Sequence, residues 1–339
     1  MKLAGRGLEA RDRTAFHDQG PGGGVITVAD EGEFGLISRL TAGIVRTDDV
    51  LLGPGDDAAV TRAGDGRVVS STDLMVEGVH FRRDWSTAND VGRKAAAANL
   101  ADIAAMGATA TAILVGLATP PDLPGEWASG LMDGLREECG QVGAAVVGGD
   151  VVRSPTLMIS IAVLGDLQGR APVLRSGARP GEIVALAGRV GWADAGLAVL
   201  GRGFRSPVQV VTAHRRPEPP YAEGPRAAEL GATAMIDISD GLVADAGHIA
   251  AASSVRINLR SAALSLPSRL REVAAALNID PMTWLLSGGD DHALLATFPP
   301  ILADRLGPAW TVIGEVSPGD GVRVDGRSWR GPGGAEHFR

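Results

Sequence analysis

The chain has 339 residues, which is long enough for two domains that each bury a hydrophobic core. Apolar residues make up 45% of it and charged residues 21%, a balance typical of globular proteins, and the formal net charge of −8 argues against non-specific binding to nucleic acid. The single cysteine excludes an intramolecular disulfide and a zinc site built from cysteines.

Residues 1–30 are predicted to form a flexible leader, with a glycine cluster at 20–24. The leader lacks the apolar region of a secretory signal. No apolar run in the chain reaches the roughly 18 residues that a membrane-spanning helix needs. We therefore predict a cytoplasmic protein that does not bind membranes.

The next segment, 31–168, alternates short aliphatic runs with alanine-rich stretches, which is typical of a mixed α/β domain. Its strands are predicted over 68–76, 111–118, 144–150 and 157–165, and its helices over 91–108 and 126–140. This domain is expected to carry most of the carboxylates of a metal and nucleotide site.

Segment 166–182 is rich in Gly, Pro and Arg and is interpreted as the junction between two domains. The second α/β domain, 169–339, is expected to complete the site. Its strands are predicted over 182–188 and 233–240, and its helices over 193–201, 224–231, 241–253 and 268–278.

A glycine turn at residues 53–60, GPGDDAAV, matches the loose dinucleotide-binding pattern G-x-G-x-x-G/A. That match would favour a nicotinamide-dependent dehydrogenase. Asp56 and Asp57 lie inside the turn, however, and two carboxylates would repel the pyrophosphate that such a loop binds through bare N–H groups. The paired aspartates therefore argue against that class of enzyme.

Aspartates recur at the predicted strand ends, each near Ser, Thr or Gly. They are Asp56, Asp57, Asp73, Asp150, Asp237, Asp240, Asp290 and Asp291. Asp and Gly are also ordinary turn residues, so any single position favours a turn over a site. Their repetition where ligands of open α/β sheets collect favours an all-oxygen site for magnesium.

Asp102 lies inside the helix predicted over 91–108, on the same face as Asn99 and among apolar side chains. A buried carboxylate is costly unless it is paired with a cation or bound to a metal. Metal ligation is the preferred interpretation, and a salt bridge to an arginine is the alternative.

The sequence has no P-loop and no protein-kinase motif set. Nucleotide phosphates would then be held by carboxylate-bound magnesium, backbone N–H groups and arginine. Arg175 suits this task because arginine binds phosphate bidentately, and a solvated surface position is an equal alternative. His80 follows the strand predicted over 68–76 and is placed to reach a substrate, whereas His248 is expected to pack within its helix.

Nine segments, taken together, resemble the thiamine-monophosphate kinase family of the aminoimidazole ribonucleotide synthetase-like ATP-binding superfamily. In chain order they are GEFGLISRL, GPGDDAAV, SSTDLMVEGVHF, KAAAANLADIAAMGA, VVGGD, LRSGARPGE, AMIDISDGLVADAGHIA, LSGGDDHALL and GGAEHF. They extend over about residues 31–338. The run STD-x₆-HF together with NL-[AS]-D-[IL]-AAMGA separates this family from its superfamily relatives.

The resemblance implies the two-domain α/β fold of that superfamily, in which each domain is a mixed sheet packed with helices. It implies a homodimer and transfer of the γ-phosphoryl group of ATP to thiamine monophosphate, giving thiamine diphosphate and ADP. It also implies several Mg²⁺ ions as cofactors, with ATP as co-substrate.

The resemblance further implies roles for individual residues. The implied metal ligands are Asp57, Ser71 or Thr72, Asp73, Asp102, Asp150, Asp237 and Asp240. The implied ATP contacts are Gly149, Asp150, Arg175 and Ser239, and the implied substrate contacts are His80, Asp290 and the C-terminal segment at Ala335. Catalysis is expected to depend on the metal-binding carboxylates Asp57, Asp102, Asp150 and Asp240.

Two positions depart from the family pattern. Asp290 stands where the family usually has Glu, so its contact with the substrate is expected to be longer or mediated by water. Ala335 stands where an aromatic residue is usual, so that position does not supply the expected stacking on the substrate.

The implied reaction agrees with the residues. A phosphate acceptor is already anionic at neutral pH, so no general base is required, and catalysis would rest on alignment and charge neutralisation. Two other functions stay open. One is a synthetase of the same superfamily that activates an amide or carboxylate with ATP, and the other is a non-enzymatic metal- or nucleotide-binding protein.

Overall fold

The computed structural model describes residues 26–42, 47–52 and 59–331. The α-helices of this part of the chain are α1 (Val28–Thr41), α2 (Ala88–Ala105), α3 (Gly125–Gly140), α4 (Trp192–Gly201), α5 (Val208–Arg215), α6 (Glu223–Leu230), α7 (Leu242–Ser253), α8 (Ser268–Leu277) and α9 (Pro281–Ser287). Short 3₁₀ helices span Ser261–Ala263 and Pro300–Arg305.

The β-strands form three sheets. They are β1 (Val50–Leu52), β2 (Val60–Thr61), β3 (Val69–Val76), β4 (Thr109–Thr119), β5 (Ala145–Arg153), β6 (Met158–Asp166), β7 (Ile183–Ala187), β8 (Ala234–Asp237), β9 (Arg256–Leu259), β10 (Leu294–Phe298), β11 (Trp310–Ser317), β12 (Gly321–Val324) and β13 (Arg327–Ser328). The smallest sheet is the β1–β2 pair. The α/β class expected from the sequence is confirmed.

The four-stranded sheet has the order β3–β6–β4–β5, with β4 and β5 parallel and the other pairs antiparallel. Directly opposed residues point to the same face, so Asp73, Ile161 and Val115 share one face. Helices α2 and α3 cover that face, and their apolar side chains form a core with Ile161 and Val115. The polar side chains of β3 on this face therefore meet helix α2.

The seven-stranded sheet has the order β13–β12–β9–β11–β7–β10–β8, and all its pairs are antiparallel except β9 with β12. Helices α4, α5, α7, α8 and α9 pack on one face. Helix α6, the segment Pro300–Arg305 and the end of α2 pack on the other. Strands β8 and β10 are buried along their whole length because both faces are covered.

The predicted junction, 166–182, connects β6 of the four-stranded sheet to β7 of the seven-stranded sheet. The division into two domains at this point stays a prediction. The strands predicted over 68–76, 111–118, 144–150 and 157–165 match β3, β4, β5 and β6 to within three residues. Among the described residues, no helix is both long enough and apolar enough to cross a membrane.

Some elements were not predicted, and one predicted strand is shorter than expected. Helices α5 and α9 span at most eight residues, and β9 and β12 span four each, too short for a clear periodic pattern. The strand predicted over 233–240 ends at Asp237. The chain then turns toward α7, held by a hydrogen bond from the Ile238 N–H to the Ala293 carbonyl at 2.7 Å.

Helix α1 begins inside the segment that was assigned to the leader. Thr27 caps the helix: the Asp30 N–H donates to Thr27 Oγ1 at 3.3 Å, and the Thr27 N–H donates to Asp30 Oδ2 at 2.9 Å. This reciprocal pair satisfies backbone groups of the first turn. Residues 26–30 therefore belong to α1 and its cap, and the rest of the predicted leader, 1–25, lies outside the described residues.

Helices α2 and α3 pack backbone against backbone at two glycines. A Cβ atom at Gly92 would lie 2.1 Å from the Leu131 carbonyl oxygen, and one at Gly134 would lie 2.1 Å from the Asn89 carbonyl oxygen. Any side chain at these positions would separate the helices. This contact fixes the position of α2, which carries Asp102.

We expect Gly134→Ala to lower the free energy of unfolding by about 2 kcal/mol or more, because its methyl group collides with the α2 backbone. Gly140→Ala is the matched control in the same helix, because a Cβ there meets no atom within 4 Å. The control should be neutral or stabilising by up to about 1 kcal/mol. Urea unfolding measures both, and equal stabilities of the two variants would contradict the packing described.

Candidate functional site

A cleft of about 710 Å³ lies between the two large sheets. Its wall on one side consists of the end of β3, the loop that follows it and helix α2, represented by Asp73, His80 and Lys94. On the other side lie helix α4 with Asp194, the turn after β8 and the segment 287–292. Most of the residue positions singled out by the sequence lie at or directly behind this surface.

Strand β3 and helix α2 are joined by polar contacts at the cleft. Ser71 Oγ donates a hydrogen bond to Asp102 Oδ2 at 2.6 Å, and the Asp73 N–H donates to Asn99 Oδ1 at 3.1 Å. Asn99 in turn donates to the Ala95 carbonyl at 3.0 Å. The three-residue spacing of Asn99 and Asp102 places both on the helix face that meets the strand.

Thr72 points to the opposite face of β3, as strand alternation requires. Its hydroxyl donates to the Ile161 carbonyl of β6 at 2.8 Å. Of the two hydroxyls that the family pattern left open, Ser71 therefore lies beside a carboxylate in this structure.

Asp237 at the end of β8 binds His292, a residue that the sequence analysis did not single out. The two side chains are buried, and His292 Nδ1 lies 3.0 Å from Asp237 Oδ2. Burial alone would lower the pKa of His292, but the hydrogen bond and the charge of Asp237 raise it. The position of His292 directly after Asp290 and Asp291 was the available signal in the sequence.

A third acidic group lies at the start of α7. The buried Asp245 accepts hydrogen bonds from the Asp240 and Gly241 N–H groups, each at 3.0 Å. Ligand atoms of Asp240, Asp245 and His248 lie within 4.8 Å of one another, a spacing suited to a metal ion. The prediction that His248 packs within its helix was wrong, since its side chain is exposed.

Burial and like charge act together on these carboxylates. Burial raises the pKa of Asp102 to about 6, and the charge of Asp237 adds to the rise against the hydrogen bond from Ser71. The pKa of Asp73 is also raised, by burial and by Asp237. The pKa of Asp245 rises to about 7 for the same two reasons.

A divalent cation fits this donor set. Asp102 makes no salt bridge with any arginine of the described ranges, so the alternative proposed for it from the sequence is not found there. Carboxylate and hydroxyl oxygens are the ligands that magnesium prefers, and a cation would relieve the repulsion that raises these pKa values. Ser71, Asp73, Asp102, Asp237 and Asp240 are candidates to hold it, although the one group of three acidic or histidine side chains among the described residues whose ligand atoms all lie within 4.8 Å of one another is Asp240, Asp245 and His248.

Lys94 forms an ion pair across the cleft. Its buried Nζ lies 2.8 Å from Asp290 Oδ2 and donates to the His80 carbonyl at 3.4 Å. Burial opposes ionisation of Asp290, but the charge of Lys94 holds the pKa of that carboxyl well below its usual range. Lys94 was assigned no role from the sequence, although it is the single lysine between residues 3 and 339.

His80 lines the cleft, as expected for a substrate contact. Its Nδ1 accepts a hydrogen bond from the Val76 N–H at 3.0 Å. A neutral His80 ring therefore carries its proton on Nε2.

Asp290 and Asp291 are adjacent in the chain, but their side chains make different contacts. Asp291 is buried and accepts hydrogen bonds from the Trp192 and Ala193 N–H groups, at 2.9 and 3.1 Å, at the start of α4. Asp290 has a φ of +65° and faces the cleft. Only glycine fits at position 289, directly before Asp290, because a Cβ there would lie 2.1 Å from the Ser239 carbonyl oxygen.

Three expected site residues lie away from the cleft. Gly149 and Asp150 are on β5, the edge strand opposite β3, about 14 Å from it across three strand spacings. Asp150 pairs with Gly116 on the face opposite to Asp73. The Arg175 carbonyl accepts a hydrogen bond from Ser253 at the far end of α7 from Asp240. Their predicted ATP contacts stay predictions.

Two further expected residues, Asp57 and Ala335, lie outside the described residues, as does Asp56. Ser239 lines the cleft. The prediction for Asp57 and the departure at Ala335 therefore remain statements about the sequence.

Known proteins resemble this chain in sequence and in fold. The family model "AIR synthase related protein, N-terminal domain" matches residues 55–167. A thiamine-monophosphate kinase of Mycobacterium tuberculosis is 50% identical over 317 residues, which cover 92% of this chain and 93% of the relative.

Solved structures are similar along most of the chain. The crystal structure of thiamine-monophosphate kinase from Stenotrophomonas maltophilia superposes with a TM-score of 0.76 at 32% identity, covering 87% of this chain and 96% of the other. AaThiL complexed with AMPPCP and TMP superposes with a TM-score of 0.75 at 31% identity, covering 91% and 98%.

We expect Asp102→Asn to stabilise the protein at pH 7.5 in the presence of a chelator, by on the order of 1 kcal/mol. The folded-state pKa of Asp102, about 6, lies above its ordinary value of 3.8, so its contribution to stability is greatest at low pH and is lost as the pH rises through 6. Asn removes the charge and keeps an acceptor for Ser71. The difference in the free energy of unfolding between the variant and the wild type should shrink as the pH falls toward 4.5.

Urea unfolding at the two pH values measures this difference. Asp304→Asn, at an exposed position outside the cleft, is the control for loss of one negative charge. If Asp102→Asn is no more stable than wild type at pH 7.5, then burial and neighbouring negative charge do not destabilise the ionised form of Asp102.

Proposed function

Because the chain belongs to the thiamine-monophosphate kinase family, we propose that this cleft transfers the γ-phosphoryl group of ATP to thiamine monophosphate with Mg²⁺ held by its carboxylates. The products are thiamine diphosphate and ADP. The enzyme is an ATP-dependent phosphotransferase with a phosphate as acceptor.

One observation carries the proposal: a cluster of repelling carboxylates lies at the same cleft as His80 and Asp290. Asp73 and Asp240 line the cleft, and Asp102 and Asp237 lie close enough for the charge of Asp237 to raise the pKa of Asp102. Phosphoryl transfer depends on metal ions that neutralise phosphate charge, and carboxylates are the groups that hold such ions.

Ser71, Asp73, Asp102, Asp237 and Asp240 are proposed to hold Mg²⁺. The family pattern adds Asp57 and Asp150, but Asp150 lies on the sheet face opposite to Asp73, so this structure does not bring it to the same site. When bound by these residues, Mg²⁺ would supply positive charge that neutralises phosphate oxygens and favours alignment of donor and acceptor. A change to Asn at any of the central carboxylates removes one anionic ligand while preserving the side-chain shape.

The remaining residues of the cleft bind and orient the acceptor. His80 presents an Nε2 proton to the cleft when its ring is neutral, because Nδ1 is occupied by the Val76 N–H. Asp290 is held ionised by Lys94 and is proposed to contact the substrate. The acceptor phosphate is itself the nucleophile, so none of these side chains needs to remove a proton from it.

Gly149, Asp150, Arg175 and Ser239 are proposed to contact ATP, as the family pattern implies. Ser239 is supported by its place in the cleft, next to Asp240. A cytoplasmic location stays a prediction of the sequence.

The test supplies ATP and Mg²⁺ with either thiamine monophosphate or free thiamine, and measures thiamine diphosphate and ADP. We expect diphosphate from the monophosphate alone and none with a chelator in place of Mg²⁺. Asp57→Asn and Asp73→Asn should lower turnover by roughly 100-fold or more. Asp304→Asn is the charge-matched control and should keep turnover within about twofold.

The other outcomes separate the remaining functions. ADP released without thiamine diphosphate, when amide or carboxylate acceptors are supplied, would favour the synthetase. Nucleotide binding with no ADP release from any acceptor would favour the non-enzymatic protein.

A homodimer is the second part of the proposal. The face of the four-stranded sheet opposite to α2 and α3 leaves Leu74, Leu114 and Val152 exposed by 51%, 38% and 51%. Its edge strands β3 and β5 lack a neighbouring strand on their outer sides among the described residues. An apolar sheet face with open edges is suited to pairing with a second copy.

We expect Leu114→Glu, at the centre of this face, to convert the dimer into a monomer, because it would place a carboxylate in the apolar interface. Light scattering after size-exclusion chromatography should give twice the chain mass of 34.7 kDa for the wild type and one chain mass for the variant. Ile301→Glu, at a position 84% exposed elsewhere, is the control and should stay dimeric. A wild-type monomer would refute the dimer.

A further inference from the structure

Asp194 is a cleft carboxylate to which the preceding mechanism assigns no task. It lies in the first turn of α4, lines the cleft and is half-buried. Within the described ranges it makes no hydrogen bond or salt bridge. Gly288 allows this close placement, since a Cβ there would lie 2.8 Å from Asp194 Cβ.

The charges around Asp194 leave it uncompensated. Burial raises the pKa of Asp194, and the charge of Asp290 adds to that rise. Lys94 is the nearby buried cation, and it is already paired with Asp290 at 2.8 Å. Arg82 also lines the cleft but is paired with Asp84 at 2.8 Å. Asp194 and Asp290 therefore face one ammonium group in this part of the cleft, an imbalance that a cationic ligand would correct.

The adjoining surface is aromatic and aliphatic. The rings of Trp85 and His214 meet edge to face with centroids 6.3 Å apart, and both line the cleft with Leu197. Burial lowers the pKa of His214 to about 3, so this imidazole is neutral. His214 is 6% exposed, and its Nδ1 has no hydrogen-bond partner among the described residues. The Arg82 guanidinium covers one face of Trp85, 4.5 Å from the ring centroid, and the remaining aromatic surface beside the carboxylate suits a flat cationic ring.

The direction of the acceptor follows from the reaction. Its phosphate is placed by Asp73 and Asp240, the two proposed metal ligands that line the cleft. In thiamine monophosphate a two-carbon chain joins that phosphate to a thiazolium ring, which carries a permanent positive charge. The ring is then placed against the other residues that line the cleft, among them Asp194 and Trp85.

We propose that Asp194 is the counter-ion of the thiazolium ring and a determinant of acceptor specificity, an inference that rests on the proposed kinase function. Asp290 contacts the acceptor while paired with Lys94, whereas Asp194 supplies the unpaired negative charge. The enzyme would then distinguish acceptors by ring charge as well as by shape.

The first test compares thiamine monophosphate with its thiophene analogue, in which carbon replaces the ring nitrogen and the ring is neutral. Titration calorimetry of the wild-type protein without ATP should show roughly tenfold or tighter binding of the cationic acceptor. Equal dissociation constants would overturn the proposal, and this comparison needs no variant.

The second test assigns the preference to Asp194. The ratio of kcat/KM for the two acceptors should fall from roughly tenfold or more toward one in Asp194→Asn, mainly through a higher KM for the cationic acceptor. Asp194→Glu should restore part of the preference. Asp304→Asn, which removes a charge outside the cleft, should keep the wild-type ratio.

The outcomes distinguish this inference from the function on which it rests. If the wild type makes no thiamine diphosphate, the kinase assignment fails. If the wild type is active and Asp194→Asn keeps its preference for the cationic acceptor, the assignment stands and the role of Asp194 is refuted. Thermal unfolding of the variants confirms that each ratio belongs to folded protein.

Discussion

Repulsion between carboxylates held together under partial burial is the constraint on which the cleft depends. The charge of Asp237 raises the pKa of both Asp73 and Asp102. Each group has a local partner: a hydroxyl for Asp102, an amide oxygen for the Asp73 backbone and an imidazole for Asp237. The imidazole, that of His292, offsets part of the repulsion, since its charge lowers the pKa of Asp73 and Asp102. The hydrophobic cores on either side hold these carboxylates close together despite their mutual repulsion.

The cleft has two chemically different parts. Oxygen ligands from β3, α2 and the end of β8 converge in one part, which suits phosphate through a divalent cation. The other part mixes Lys94, Asp194 and Asp290 with aromatic rings, which suits the organic portion of an acceptor. A single substrate that carries both a phosphate and a cationic ring matches this division.

The sequence predicted the elements with strong periodicity and the residues in long motifs. Strands β3 to β6 and helix α2 were clear because their apolar patterns are long, and Asp102 stood out as a carboxylate within an apolar helix. Lys94, Asp194 and His292 were not assigned, because their roles arise from contacts across the fold. Lys94 meets Asp290 from 196 positions away in the chain, a pairing that no local pattern contains.

The choice between Ser71 and Thr72 also required the structure. Strand alternation places the two hydroxyls on opposite faces, but the face that α2 covers depends on the packing of α2 against α3. Gly149, Asp150 and Arg175 are residues for which the motif and the structure disagree. Their motifs are as recognisable as the others, yet in the single chain these three residues do not lie at the cleft. Motif membership and spatial proximity are therefore separate properties here.

Asp291 connects two walls of the cleft, because it accepts hydrogen bonds from the start of α4. Asp290 and Asp291 are adjacent, and Asp291 binds the backbone of Trp192 and Ala193, directly before Asp194. These two hydrogen bonds therefore tie the 287–292 segment to the first turn of α4. Because they end on Asp291, the spacing between the backbones of Asp194 and Asp290 does not depend on the length of the side chain at position 290.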